Sequence, residues 1–187
     1  MEVMDAIRLR RTVHRYDPLR PVEEAMLLQA IEAAHRAPCH RKTWPWRFHR
    51  MGPNAREVVA DAYVVYKEMR TESELGDAAR RRAKEKMLEA PVMVMVTQVL
   101  GPTAHQRKED YAACASALQN FQLALAAHGV GSKWSSSGVM TSDAVYELLG
   151  VDASEEEVIA MMLVGYPREP GAQPERPPID DFMVSVP

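Results

Sequence analysis

One stretch limits the possible folds of this chain more than any other: residues Glu109 to Thr141, EDYAACASALQNFQLALAAHGVGSKWSSSGVMT. Ala112, Ala113, Ala115, Ala117, Ala124, Ala126 and Ala127 make its first part a strong helix former with little side-chain entropy to lose. Tyr111, Leu118, Phe121 and Leu125 recur at the spacing of one helical face, while Ser116 and Asn120 draw a thin polar line on another. Small side chains around the whole circumference predict a helix packed closely on several sides. Gly129 and Gly131 stop it, as glycine does just past a helix end. The run that follows, Lys133 to Gly138, is small and polar and reads as a loop presenting backbone N–H groups, hydroxyls and one indole. Composition alone favours a plainer version, a core helix with an ordinary turn after it.

At 187 residues the chain is expected to form one domain, 1–187, long enough to bury a core. A net charge of −3 points to no nucleic-acid partner. The longest apolar runs, such as Pro91 to Val96, are too short to span a bilayer, and no signal-peptide core follows the charged N-terminus. Cys39 and Cys114 make no disulfide framework, so a reducing, cytoplasmic location is expected.

In chain order, Met4 to Arg10 reads as a short helix leading into Arg10-Arg11-Thr12-Val13-His14-Arg15. An arginine pair followed by a hydroxyl suits a phosphate, whose oxygens guanidinium forks bind bidentately; a solvated basic turn is the competing reading. Pro21, Glu23 and Glu24 open a helix with Leu27, Leu28, Ile31 and Ala34 on its apolar face, and Pro38 closes it. Trp46 to Met51 alternates like a strand. About 54–89 predicts two helices split near Thr71 to Gly76, either a mobile cover over a site or a plain surface hairpin. Pro91 to Thr97 has the β-branched content of a buried central strand. Ser142 and Gly150 bracket another helix, and Val158 to Val164 reads as a strand ending in Gly165-Tyr166-Pro167. Helices outnumber strands and do not alternate with them, which predicts α+β architecture. In the proline-rich tail, Phe182, Val184 and Val186 alternate like a short strand.

Common catalytic signatures are missing. Gly129-Val130-Gly131 follows a helix, the wrong context for a dinucleotide fingerprint. Pro38 separates His35 from Cys39 and His40, and no second cluster completes a metal site, so no metal is expected. No acid–base pair stands out. Chemistry here is expected to be carried by a bound cofactor.

Three separated segments carry a resemblance that covers essentially the whole chain. RRTVHRY at Arg10 to Tyr16, APCHRKTWPWRF at Ala37 to Phe48, and the helix and loop at Asp110 to Trp134, followed by Gly165-Tyr166-Pro167, together resemble the nitroreductase family of FMN-dependent oxidoreductases, in particular its short members. The resemblance implies an α+β fold, a mainly antiparallel sheet flanked by helices, in an intertwined homodimer with shared active sites. It also implies that 168–187 is an extended arm crossing to the partner's sheet.

The resemblance further implies that Arg10, Arg11 and Thr12 hold the FMN phosphate and ribityl oxygens, and that His14 lies near flavin N1 and the C2 carbonyl. Arg36, Cys39, His40, Lys42 and Trp44 fall on the segment lining the isoalloxazine. Trp134, Ser135, Ser136, Ser137 and Gly138 fall on a loop reaching the flavin from the partner subunit. No side chain is cast as catalytic, since hydride is accepted at flavin N5. Lys42 stands where the family has Asn, Trp44 where it has Gln, and Cys39 where it has Ser. Pro45 holds the chain extended, which predicts that Trp44 and Trp46 point to the same side; against burial of both, Trp44 is expected to narrow the pocket beside the ring.

The function implied is transfer of hydride from NADH or NADPH through FMN to a small electrophilic acceptor of nitro or quinone type. Two rivals stand beside it: a non-catalytic flavin-binding or sequestering protein on the same fold, and a cofactor-free dimeric scaffold.

Overall fold

The computed structural model describes residues 1–169, 171 and 173–186. Four strands form one antiparallel sheet in the order β1-β2-β4-β3: β1 Trp46–Arg50, β2 Val92–Val99, β4 Glu156–Gly165 and, at the edge, β3 Gly131–Ser135. β2 and β4 are central and buried on both faces, which explains their nearly unbroken apolar runs. A bulge between Val96 and Thr97 shifts the β2–β4 register.

Helices cover both faces. On one lie α2 (Glu24–His35) and α5 (Ala104–Ala127), with Ala30, Ala34, Ala113, Ala117, Leu118 and Phe121 packed on Val94, Val96 and Met162. The alanines bring α5 close to both α2 and the sheet, as their small volume predicts. On the other face lie α3 (Pro53–Thr71), α4 (Asp77–Leu88) and α6 (Asp143–Leu149), packed on Met93, Met95, Met161 and Leu163. The short α1 (Val3–Leu9) rests on α5. Thr103 caps α5 by accepting from the Gln106 amide at 3.2 Å, and Gly150 closes α6 in the left-handed conformation. Among the described residues, no helix is long and apolar enough to cross a membrane.

Several details depart from expectation. Lys133 to Ser135 belong to β3 rather than a loop; Lys133 pairs with Leu163 and Trp134 with Met162. Tyr111 and Leu28 are exposed, because the neighbours of α5 and α2 cover only part of each helical face. Phe182, Val184 and Val186 are exposed and follow a 3₁₀ turn at Ile179–Asp181; among the described residues of the chain they pair with no strand. Of the arm at 168–187, positions 170, 172 and 187 lie outside the described residues.

Candidate functional site

The arginine segment runs along the β3 edge of the sheet. Thr12 bridges Ser132 in parallel, the Val13 amide donates to the Ser132 carbonyl at 3.1 Å, and Tyr16 bridges Pro167. The buried Tyr16 hydroxyl sits 2.9 and 3.0 Å from the Val13 and Leu163 carbonyls. Burial, with help from the Glu89 carboxylate, pushes that phenol above its ordinary value, so it remains a hydrogen-bond donor. Val13 and Tyr16 face the core, while Thr12 and His14 are exposed. Close approach needs Gly131, where a Cβ would overlap the Val13 side chain.

Arg10 and Arg11 line a small cleft of about 230 Å³ beside Val130 and Gly131. Their roles differ. Arg11 donates to the Leu9 carbonyl at 3.1 Å and to the Gly171 carbonyl. Arg10 makes no side-chain hydrogen bond or ion pair among the described residues, so its guanidinium is available to a ligand.

A larger cleft of about 1040 Å³, sharing no lining residue with the small one, lies between His14 to Tyr16, α4 and β3. Leu163 forms part of its lining, and Lys133 projects into it from β3. Burial first, and the nearby Lys86 ammonium second, hold the Lys133 ammonium below the ordinary lysine value. Lys133 and Ser135 therefore share one face of the sheet, and Ser132 and Trp134 the other: Ser132 accepts from Gln122 Nε2 at 3.2 Å, and Trp134 packs on the α2–α5 core. This corrects the expected loop. Trp134 lies across the sheet from His14 and Lys133, because strand alternation sends adjacent side chains to opposite faces. Gly138 lies against α3, where a Cβ would come within 2.8 Å of the Tyr66 hydroxyl.

The segment 36–44 lies at the opposite edge, immediately before β1. Three inter-strand spacings, about 14 Å in all, separate β1 from β3. Arg36 pairs with Glu32 at 3.3 Å on the surface of α2. Cys39 Sγ lies 3.3 Å from Thr43 Oγ1 and accepts from the Trp44 amide at 3.3 Å; His40 lies 3.9 Å from Glu109. Arg41, Lys42 and Trp44 all adopt left-handed conformations, with φ of 58°, 58° and 40°. This overturns the expectation that Trp44 and Trp46 share a side. The chain is not extended at Trp44, so Trp46 is 5% exposed and donates to His35 Nδ1 at 3.3 Å, while Trp44 is 45% exposed.

One chain thus brings 10–14 together with 131–135 and sets 36–44 apart. The resemblance assigns 134–138 to the partner's flavin, yet β3 starts beside Thr12 of its own chain. Among the cleft residues, Lys133, Lys86, Arg81, Arg82 and Arg168 were not singled out from sequence. For Arg82 and Lys86 the available signal was their spacing of one helical turn; Ser132 to Ser135, polar apart from Trp134, carries no strand signal of its own.

A family model described as "Nitroreductase family" matches residues 7–166. "Putative NAD(P)H nitroreductase YfhC" of Bacillus subtilis (strain 168) is 27% identical over 183 residues, covering 97% of this chain and 93% of that protein. The crystal structure of a nitroreductase-like family protein from Bacillus cereus superposes with a TM-score of 0.85 at 25% identity, covering 100% of this chain and 96% of that one. NfnB from Sphigopyxis sp. strain HMH, an FMN- and NADPH-dependent nitroreductase, shares the fold with a TM-score of 0.80 at 21% identity, with 100% of both chains covered. With a family match across most of its length and the same sheet and helix arrangement, this chain belongs to the nitroreductase family.

Proposed function

We propose that the protein is a homodimeric flavin-dependent oxidoreductase that binds FMN and passes reducing equivalents from NAD(P)H to a small electrophilic acceptor of nitro or quinone type. The observation that carries this reading is the grouping, along one sheet edge, of an uncommitted Arg10, the exposed Thr12 and His14, and a partly buried Lys133. That donor set fits FMN: a guanidinium for the phosphate, a hydroxyl for the ribityl chain, and two cationic or protonatable groups for the polar edge of the ring. When bound, FMN supplies the hydride-accepting and electron-donating chemistry that the side chains lack.

The chain's own residues bind and polarise. Arg10 anchors the phosphate, while the internal contacts of Arg11 keep the segment in place. Lys133, already partly stripped of water, stabilises negative charge in the cleft more strongly than a solvated lysine does. The separation of 36–44 from 10–14 within one chain supports a shared site in which the second copy supplies Cys39 to Trp44. The exposed apolar side chains of α1 and of the tail, including Ile7, Leu9, Phe182 and Val184, are suitable contact surface for that copy.

Purified protein is expected to be yellow and to bleach under anaerobic NAD(P)H. Retained colour without bleaching would identify a flavin-binding protein instead, and colourless protein that takes up no added FMN would refute both. Arg10→Ala is expected to release FMN on dialysis, and a variant that stays yellow removes Arg10 from the phosphate site.

A further inference from the structure

The charges of α4 divide into two sets. Toward α3, Arg80 pairs with Glu68 at 2.6 Å, and Lys84, which also lines the large cleft, pairs with Asp61. Toward the large cleft, Arg81, Arg82 and Lys86 have no carboxylate within ion-pair distance among the described residues. Arg168 lines the same cleft and likewise has no ion-pair partner among the described residues. Two carboxylates, Glu85 and Glu89, also line it, and Glu89 faces Arg15 at 3.9 Å. A chain of net charge −3 therefore gathers a cationic excess around one opening. Arg81, Arg82, Lys86 and Arg168 are exposed, whereas Lys133 and Leu163 are more buried. The cleft thus has a deep part, suited to the flavin edge, and a solvent-facing cationic rim beyond it.

Like charges clustered without counter-charges repel, and an anion that enters the rim removes that repulsion. Guanidinium pairs favour phosphate, whose tetrahedral oxygens accept two parallel N–H bonds from each fork. We propose that Arg81 and Arg82, with Arg168, form a subsite for a phosphate monoester on the reductant, so that the protein selects NADPH over NADH through the 2′-phosphate of its adenosine. This rests on the oxidoreductase reading for its choice of ligand, but the subsite itself is a binding claim that does not need turnover.

The test uses the FMN-loaded protein and isothermal titration calorimetry with adenosine 2′,5′-bisphosphate, with 5′-ADP as a control carrying the same number of phosphates at one end. The 2′,5′ isomer is expected to bind about tenfold more tightly at low salt, with the advantage shrinking as ionic strength rises. The doubly substituted R81A/R82A is expected to lose that advantage and to keep its FMN content, while R81K/R82K retains part of it. In steady state, the ratio of kcat/KM for NADPH to that for NADH is expected to fall about tenfold in R81A/R82A.

Equal binding of the two nucleotides would overturn the subsite, leaving an unspecific polyanion surface. Loss of FMN from R81A/R82A would also overturn it, by showing that the rim holds the flavin's own phosphate. The two readings fail separately. Preferential 2′,5′ binding without flavin bleaching sinks the oxidoreductase and keeps the subsite, whereas bleaching by NADH and NADPH at equal efficiency, with no 2′,5′ preference, does the reverse.

Discussion

Thr43→Val isolates the contact that ties the segment 39–44 to α5. Thr43 Oγ1 donates to Asp110 Oδ1 at 2.6 Å, and Asp110 is 3% exposed on α5 with no ion-pair partner among the described residues. A hydrogen bond to a buried carboxylate contributes about 1.5–3 kcal/mol, and valine matches threonine in shape while removing the donor. Against that loss stands strain. Arg41, Lys42 and Trp44 occupy the left-handed region at roughly 1–2 kcal/mol each, and a freed loop recovers part of it. The net loss is therefore expected at the lower end, about 1.5 kcal/mol. With an m value of roughly 2–3 kcal/mol/M, the urea midpoint falls by about 0.5–0.75 M, compared at one protein concentration because a dimer's stability depends on it. Thr43→Ser keeps the hydroxyl and is expected to lose less than about 0.5 kcal/mol. Emission of the exposed Trp44 is expected to change in Thr43→Val as the loop relaxes. Equal midpoints for the valine and serine variants would refute the reasoning, because then the hydroxyl contributes nothing.

The two thiols are expected to react at very different rates. Burial, together with the Asp110 carboxylate, pushes the Cys114 thiol up to about 12, while Cys39 is only half-buried, so brief alkylation read by mass spectrometry should modify Cys39 alone until the protein is unfolded. Because the Lys133 ammonium is held below its ordinary value, the native state binds fewer protons than the unfolded state as pH rises toward the normal lysine range, so stability gains with pH across that window. Lys133→Met should flatten that gain, by less than about 1 kcal/mol since the side chain is only partly buried, and urea midpoints from pH 8 to 10 measure it. Deleting the residues after Glu175 should lower the thermal midpoint by roughly 4–8 °C and shift light-scattering mass toward the monomer, if Ile179, Phe182 and Val184 bury against a partner. An unchanged dimer of unchanged stability would sink the role of the arm.

The elements that the sequence determined alone are those specified by local pattern. The alanine run makes α5 whatever surrounds it, Gly129 and Gly150 end helices by their backbone freedom, and the β-branched run after Pro91 makes a central strand. The α3–α4 division was likewise written in residues 71–76. What depended on distant partners was decided only by the tertiary structure. Lys133 and Trp134 form a strand because β4 supplies their hydrogen bonds, and that pairing sends one to the cleft and the other to the core. Trp44 parts from Trp46 at a left-handed turn that Thr43 ties to α5 through Asp110, a residue far along the chain. The charged face of α4 gained its meaning the same way. Arg80 and Lys84 find carboxylates on α3, and Arg81, Arg82 and Lys86 do not, a division set by where the acids of α3 lie. Local propensity acts over a few residues, whereas strand pairing, burial and counter-charges are fixed by neighbours that sequence spacing does not reveal.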